Sequence, residues 1–119
     1  MIAGLGHGQV WWADMDKVRP VVVLTRSGIA ERLSRVVIAP VTGVVRDIPT
    51  EIPIGTEAGV ADGSVVNVDN VQLVPVDRLL GRAGTIPEER WTEVCAAVAH
   101  MMGCSRAVPT LAEGSSPMR

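Results

Sequence analysis

Arg19-Pro20-Val21-Val22-Val23-Leu24-Thr25 and Arg35-Val36-Val37-Ile38-Ala39-Pro40-Val41-Thr42 decide how this chain folds. Both runs are rich in β-branched residues, which suit a pleated strand better than a helix. Neither alternates polar with apolar residues, so each reads as a strand covered on both faces, as in a closed barrel. Pro20 stands at the first position of its run, where a missing N–H removes no ladder bond. The polar segment Ser27 to Ser34 joins the two runs with room for one helical turn. Upstream, Gln9 to Met15 carries Val10, Trp11 and Trp12 and reads as the preceding strand.

Farther along, Thr50-Glu51-Ile52-Pro53-Ile54 alternates as a fourth strand, and Pro53 marks it as an edge. Ser64 to Pro75 holds one or two β segments, Asp77 to Leu80 a single helical turn, and Arg82 to Ile86 a short last strand. The one long helix is expected from about Pro87 to Met102. Trp91, Val94, Cys95, Val98, Met101 and Met102 give it an apolar stripe. Thr85-x-x-Glu88 fits a capping box and Gly103 a stop. Close-spaced short strands followed by one amphipathic helix predict a mainly β domain, a small curled barrel with a helix packed on it. The domain is expected over residues 1–103, with a flexible Gly/Ser/Pro-rich tail over 104–119.

The chain has three Trp but neither Phe nor Tyr, so its core must come from Val, Ile, Leu, Ala and Met. Flat surfaces for stacking a base are limited to Trp11, Trp12 and Arg guanidinium planes. The net charge of −2 speaks against a nucleic-acid partner, but it hides an asymmetry. Residues 1–50 carry six basic and four acidic side chains (+2), and residues 51–119 carry five and nine (−4). Lys17 is the single lysine among eleven basic residues, and Arg suits bidentate phosphate contacts better. No apolar run approaches the length of a membrane span, and residues 1–10 do not resemble a signal peptide. The expected compartment is the cytoplasm, where Cys95 and Cys104 would stay reduced.

Three motifs follow in order: Gly8-x-Val10-Trp11, then Arg19-Pro20 before the Val run, then Pro40-x-Thr42. Ser64-Val65-Val66-Asn67-x-Asp69-Asn70 and Arg82-Ala83-Gly84-Thr85-Ile86 come later. Together they resemble the MazF/PemK family of toxin endoribonucleases over residues 8 to about 103. The resemblance implies an SH3-like barrel of the CcdB/PemK type, a homodimer, and single-stranded RNA lying in a groove between subunits. It also implies metal-independent, sequence-selective cleavage that leaves a 2′,3′-cyclic phosphate and a 5′-hydroxyl, with no cofactor. The implied partner besides RNA is a MazE-like antitoxin with an acidic tail. Arg19 and Thr42 fall on the family's catalytic arginine and threonine. The chain departs from the family pattern at Asn67, Asn70 and Leu73, and its Asp14 to Val18 loop is short.

Cleavage of RNA by its own 2′-hydroxyl needs a proton acceptor, a proton donor and stabilisation of the phosphorane oxygens. Arg19 offers a planar cationic fork for phosphate and Thr42 one hydroxyl donor, while Asp69 is a candidate base or base-edge acceptor. Trp12, Lys17, Arg46, Ser64, Asn67 and Asn70 are candidate RNA contacts. His7 and His100 are read as structural or solvated. Two other readings stay open: a CcdB-like toxin that binds DNA gyrase without catalysis, and a structural module binding a protein through Trp12 and the Thr50 to Ile54 edge.

Overall fold

The computed structural model describes residues 1–104, so the expected tail lies, beyond Cys104, outside the described residues. Seven strands and one helix follow one another: β1 (Gln9–Asp14), β2 (Val18–Val23), β3 (Arg35–Thr42), β4 (Glu51–Ile54), β5 (Ser64–Asn67), β6 (Gln72–Pro75), β7 (Leu79–Thr85) and α1 (Glu88–Met101). The strands form one antiparallel sheet in the order β4-β5-β3-β2-β1-β7, with β6 added beside β3. Pro53 lies on the edge strand β4 and is exposed, as its missing N–H demands.

Strand β3 organises the sheet. On one flank it pairs with β2, Val21 opposite Pro40 and Val23 opposite Ile38. On the other flank it changes partner. Arg35 to Ile38 pair with β6, and Val41 and Thr42 pair with β5. A 3-10 turn at Val68–Asn70 carries the chain from β5 to β6. The Leu24 N–H donates to the Val37 carbonyl at 2.8 Å, which fixes the hydrogen-bonding alternation along β3. By that alternation the ring nitrogen of Pro40 faces the β5/β6 flank, at the break between the two partners. A proline therefore sits in the middle of an eight-residue inner strand at little cost.

The expected small curled barrel with one helix is what the structure shows, except that β4 and β7 do not pair with each other and leave a gap in the sheet. The gap is narrowed by direct backbone contact. A Cβ on Gly59 would strike the Ala83 carbonyl, and one on Gly84 would strike the Ala58 carbonyl. Glycine at both places lets the 3-10 turn Thr56–Ala58 lie against β7.

Curling gives the sheet a core on each face. Val22 joins Val10, Ala39, Val41, Ile52, Val66 and the helix residues Val94 and Ala97. Val21 and Val23 join Leu5, Ala13, Val36, Ile38 and Val74 on the other side. This is why the β2 run is apolar without alternation. The helix deviates from its predicted stripe: Ala97 is buried, whereas Cys95 and Met102 are exposed. The capping box does not form, because Thr85 Oγ1 accepts from Arg82 Nη2 at 2.6 Å and Pro87 caps the helix without a side-chain bond. Gly103 does stop it: the Gly103 N–H reaches the His100 carbonyl and the Cys104 N–H the Ala99 carbonyl, with Gly103 at φ 77°. No helix among the described residues is long and apolar enough to cross a membrane.

The substitution Gly84→Ala should cost about 1–3 kcal/mol, since the contact it meets is backbone and cannot swing aside. Urea unfolding would show the midpoint lowered with an unchanged slope; an unchanged midpoint would mean that this contact does not constrain the sheet.

Candidate functional site

The β2–β3 register decides which polar groups meet. Val21 faces Pro40, so two residues farther the same row brings Arg19 beside Thr42, on the same face by strand alternation. Across β3, Val65 stands opposite Thr42, and Asn67 follows two residues later on the same face. The strand ends therefore converge on a cleft of about 210 Å³ lined by Arg19, Thr42, Val44, Arg46, Asn67 and Asn70 around Pro40. An adjoining cleft of about 370 Å³ shares Arg19, Pro40 and Asn70 and adds Asp16, Asp69 and Gln72. The switch of β3 from β6 to β5 creates both, because the Val68–Asn70 turn fills the break with polar side chains.

Each group is held in a definite hydrogen-bonding state. Arg19 Nη2 donates to Asp16 Oδ2 at 3.0 Å and lies 2.9 Å from Oδ1 in an ion pair. This contact at a largely exposed carboxylate is worth little and is readily exchanged for another anion. Arg19 Nε is buried and unpartnered, as is Asn67 Oδ1. Among the described residues these are the two such buried side-chain atoms, and both side chains line the cleft. Thr42 Oγ1 accepts the Val44 N–H at 3.1 Å, which leaves its own hydrogen free to donate. Asp69 Oδ2 accepts from Thr50 Oγ1 at 2.5 Å, so its other oxygen is open to the cleft.

Arg46 reaches the site from the loop between β3 and β4. Its Nε donates to Glu51 Oε2 at 2.9 Å, and Glu51 Oε1 accepts the N–H groups of Arg46 at 2.7 Å and Asp47 at 3.1 Å. The Glu51 side chain is only 1% exposed. Its carboxyl is held below the usual carboxylate value, first by the Arg46 N–H, against the opposing effect of burial, and then by the Arg46 guanidinium and the Asp47 N–H.

Six residues singled out in the sequence are thus brought together: Arg19, Thr42, Arg46, Asn67, Asp69 and Asn70. Three stand apart. Ser64 is buried at the far end of β5 with its hydroxyl on the Ala61 carbonyl at 2.6 Å. Trp12, 40% exposed, lies on β1 between Pro20 and Gly81. Lys17 is exposed in the turn where its carbonyl accepts the Met15 N–H. Asp16 and Glu51 are not among the residues that the sequence singles out for the site. Strand alternation with Ile52 and Ile54 inside would place Glu51 outside, and the loop folded over it is what buries it.

The sequence model of the family described as "PemK-like, MazF-like toxin of type II toxin-antitoxin system" matches residues 7–102. A protein of Mycobacterium tuberculosis named probable endoribonuclease MazF5 is 36% identical over 110 residues, covering 89% of this chain and all of the relative. Probable endoribonuclease MazF2 of the same organism is 31% identical over 100 residues, covering 82% of this chain and 98% of that protein. Among solved structures, Mycobacterium tuberculosis toxin MazF-mt6 superposes with a TM-score of 0.77 at 33% identity, covering 80% of this chain and 96% of that one.

Glu51→Gln should lower stability at neutral pH. Because the folded carboxyl titrates below its ordinary value of 4.5, the wild-type advantage is complete above that value and is lost as pH falls through the folded value. Urea midpoints of both proteins, measured from pH 7 downward, should converge below pH 4.5. A gap independent of pH would show that the charge of Glu51 contributes nothing.

Proposed function

This chain belongs to the PemK-like, MazF-like toxins of type II toxin–antitoxin systems, and from that premise we propose that it is an endoribonuclease toxin that cuts single-stranded RNA at the Arg19/Thr42 cleft. The observation that carries the proposal is the β2–β3 register, which presents a guanidinium and a free hydroxyl donor on one face beside Pro40. The endoribonuclease names of the relatives supply the substrate class.

In the proposed reaction the 2′-oxygen of a nucleotide attacks the adjacent phosphorus. A 2′,3′-cyclic phosphate forms as the bond from phosphorus to the 5′-oxygen breaks. Water in the open cleft protonates that oxygen, which departs as a hydroxyl, and the proton taken from the 2′-hydroxyl returns to solvent. The nucleophile belongs to the substrate, and the charge that develops on the phosphorane oxygens is met by the protein, so the proposed step uses no metal. Arg19 leaves Asp16 for those oxygens and offers a terminal nitrogen together with its unpartnered Nε. Thr42 donates its hydroxyl hydrogen to the same oxygens. Asp69, which lines the adjoining cleft, takes the 2′-hydroxyl proton on its open oxygen. Arg46 holds a flanking phosphate, and Asn67 and Asn70 contact base edges. Trp12, Lys17 and Ser64 stand off the cleft and have no part in this scheme.

The proposal extends to a cytoplasmic homodimer, with RNA along a groove shared by two such clefts, and to a cognate antitoxin that competes for it. The gyrase-binding alternative is not favoured, because the matched relatives carry endoribonuclease names.

Arg19→Ala and Thr42→Ala should each retain the wild-type stability to urea within about 0.5 kcal/mol and lose at least about tenfold in RNA cleavage rate. Cleavage of total RNA should survive excess chelator, and 5′-end sequencing of its products should reveal one short motif. An RNA with a single 2′-deoxy sugar at that cut should stay intact. Its cleavage at the normal rate would eliminate attack by the 2′-oxygen.

A further inference from the structure

The Glu51 carboxylate is the most deeply placed charge in the neighbourhood of the cleft, yet it does not line the part that holds Arg19 and Thr42. Burying a carboxylate is costly unless it is paired and hydrogen-bonded, so its place at the head of an edge strand calls for an explanation. Its three contacts all go to one short segment: the N–H of Arg46, the N–H of Asp47 and the Nε of Arg46. Asp47 has φ 59°, a left-handed conformation that a non-glycine residue adopts only when its surroundings hold it. The other hydrogen bonds of this loop are at its ends, where the Val44 N–H meets Thr42 Oγ1, the Glu51 N–H meets the Ile48 carbonyl, and Thr50 donates its hydroxyl to Asp69 and accepts the Val68 N–H on its carbonyl. The middle of the loop, which carries Arg46, hangs on the carboxylate.

The guanidinium itself is divided. Its inner edge, Nε, is spent on Glu51, and its two terminal nitrogens take no partner among the described residues while the side chain lines the cleft. A fork held at one edge and open at the other presents charge in a fixed direction, which a lysine cannot do. We infer that Glu51 is a positioning residue for RNA: it fixes the loop and one edge of Arg46 so that the open edge meets a phosphate of the bound strand. This rests on the RNA-cutting reading above and adds to it the residue that orients its second cation.

The test is the salt dependence of RNA affinity. The probe is a fluorescein-labelled RNA that spans the mapped cut and carries one 2′-deoxy sugar there. For a single strand, the slope of log K against log salt changes by about 0.7 for each phosphate that the protein ceases to neutralise. Arg46→Ala should reduce the slope by that amount, and Glu51→Gln should do the same. The double variant should match Arg46→Ala rather than fall by a further step of about 0.7, because Glu51 acts only through Arg46. Arg46→Lys, at an exposed site, decides the matter should Glu51→Gln fail to fold. Its single ammonium stays on Glu51, so its slope should equal that of Arg46→Ala.

A wild-type slope in Glu51→Gln or in Arg46→Lys, or additive reductions in the double variant, would overturn the inference and reduce Glu51 to a loop staple. A wild-type slope in Arg46→Ala would also overturn it, while Arg19-dependent cleavage would keep the nuclease reading standing. If the wild-type protein cuts no RNA, the nuclease reading fails and this inference with it.

Discussion

Pro40 interrupts the hydrogen-bonding capacity of the strand on which the whole sheet is built. The structure accommodates it by letting β3 change neighbours at that point, from β6 to β5. A continuous partner strand would meet a missing donor there; a turn at Val68–Asn70 meets nothing it needs. The consequence is a notch in an otherwise tightly paired sheet, and beside Arg46 from the β3–β4 loop, side chains from four further segments enter it. Arg19 comes from the start of β2, Thr42 from the end of β3, Asn67 from the end of β5, and Asp69 and Asn70 from the turn itself. Rigid strands on either side fix the separation of the guanidinium and the hydroxyl, which is what pre-organised charge stabilisation requires.

The electrostatics of the notch resolve the apparent conflict between an acidic chain and an anionic substrate. The chain carries a net charge of −2, but the charges at the cleft are sorted by role. Asp16 neutralises Arg19 through an exposed contact that an incoming phosphate can replace. Glu51 is buried and spends its charge on backbone N–H groups and on one edge of Arg46. Both contacts leave donor nitrogens of the two guanidinium groups that a phosphate can reach once it displaces Asp16. Local arrangement outweighs the sum, as expected where salt screens exposed charges beyond about 8–10 Å.

Much of this was legible in the residues. The unbroken Val21-Val22-Val23 run announced a strand covered on both faces, and the two cores on either side of β2 are the reason it holds. Strand β3 was readable to the residue, because its β-branched run is bounded by a polar loop before it and Gly43 after it. Six of the residues singled out in the sequence line the two clefts, and Arg19 and Thr42 stood out through the family motifs, since a strand-end Arg or Thr alone reads as an ordinary surface residue. Closure of the barrel was not readable, since whether β4 meets β7 depends on curvature accumulated over the whole sheet. The capping box failed because Thr85 still belongs to β7, where Arg82 takes its hydroxyl, and the helix starts only after Pro87. Ser64 opens the strand that Asn67 ends, so alternation puts it on the opposite face, and its hydroxyl is claimed by a nearby carbonyl. Glu51 was invisible for a different reason: its burial comes from a loop folding back over a position that alternation assigns to solvent.

The most direct measurement is a crystal structure of this protein with an RNA made uncleavable by a 2′-deoxy sugar at its cut site. The account predicts the scissile phosphate in the notch beside Pro40, with one non-bridging oxygen within about 3 Å of both the Arg19 guanidinium and Thr42 Oγ1. Such a complex would also have Arg19 drawn away from Asp16. A strand bound elsewhere, with Arg19 still held by Asp16 and Thr42 facing only Val44, would contradict it.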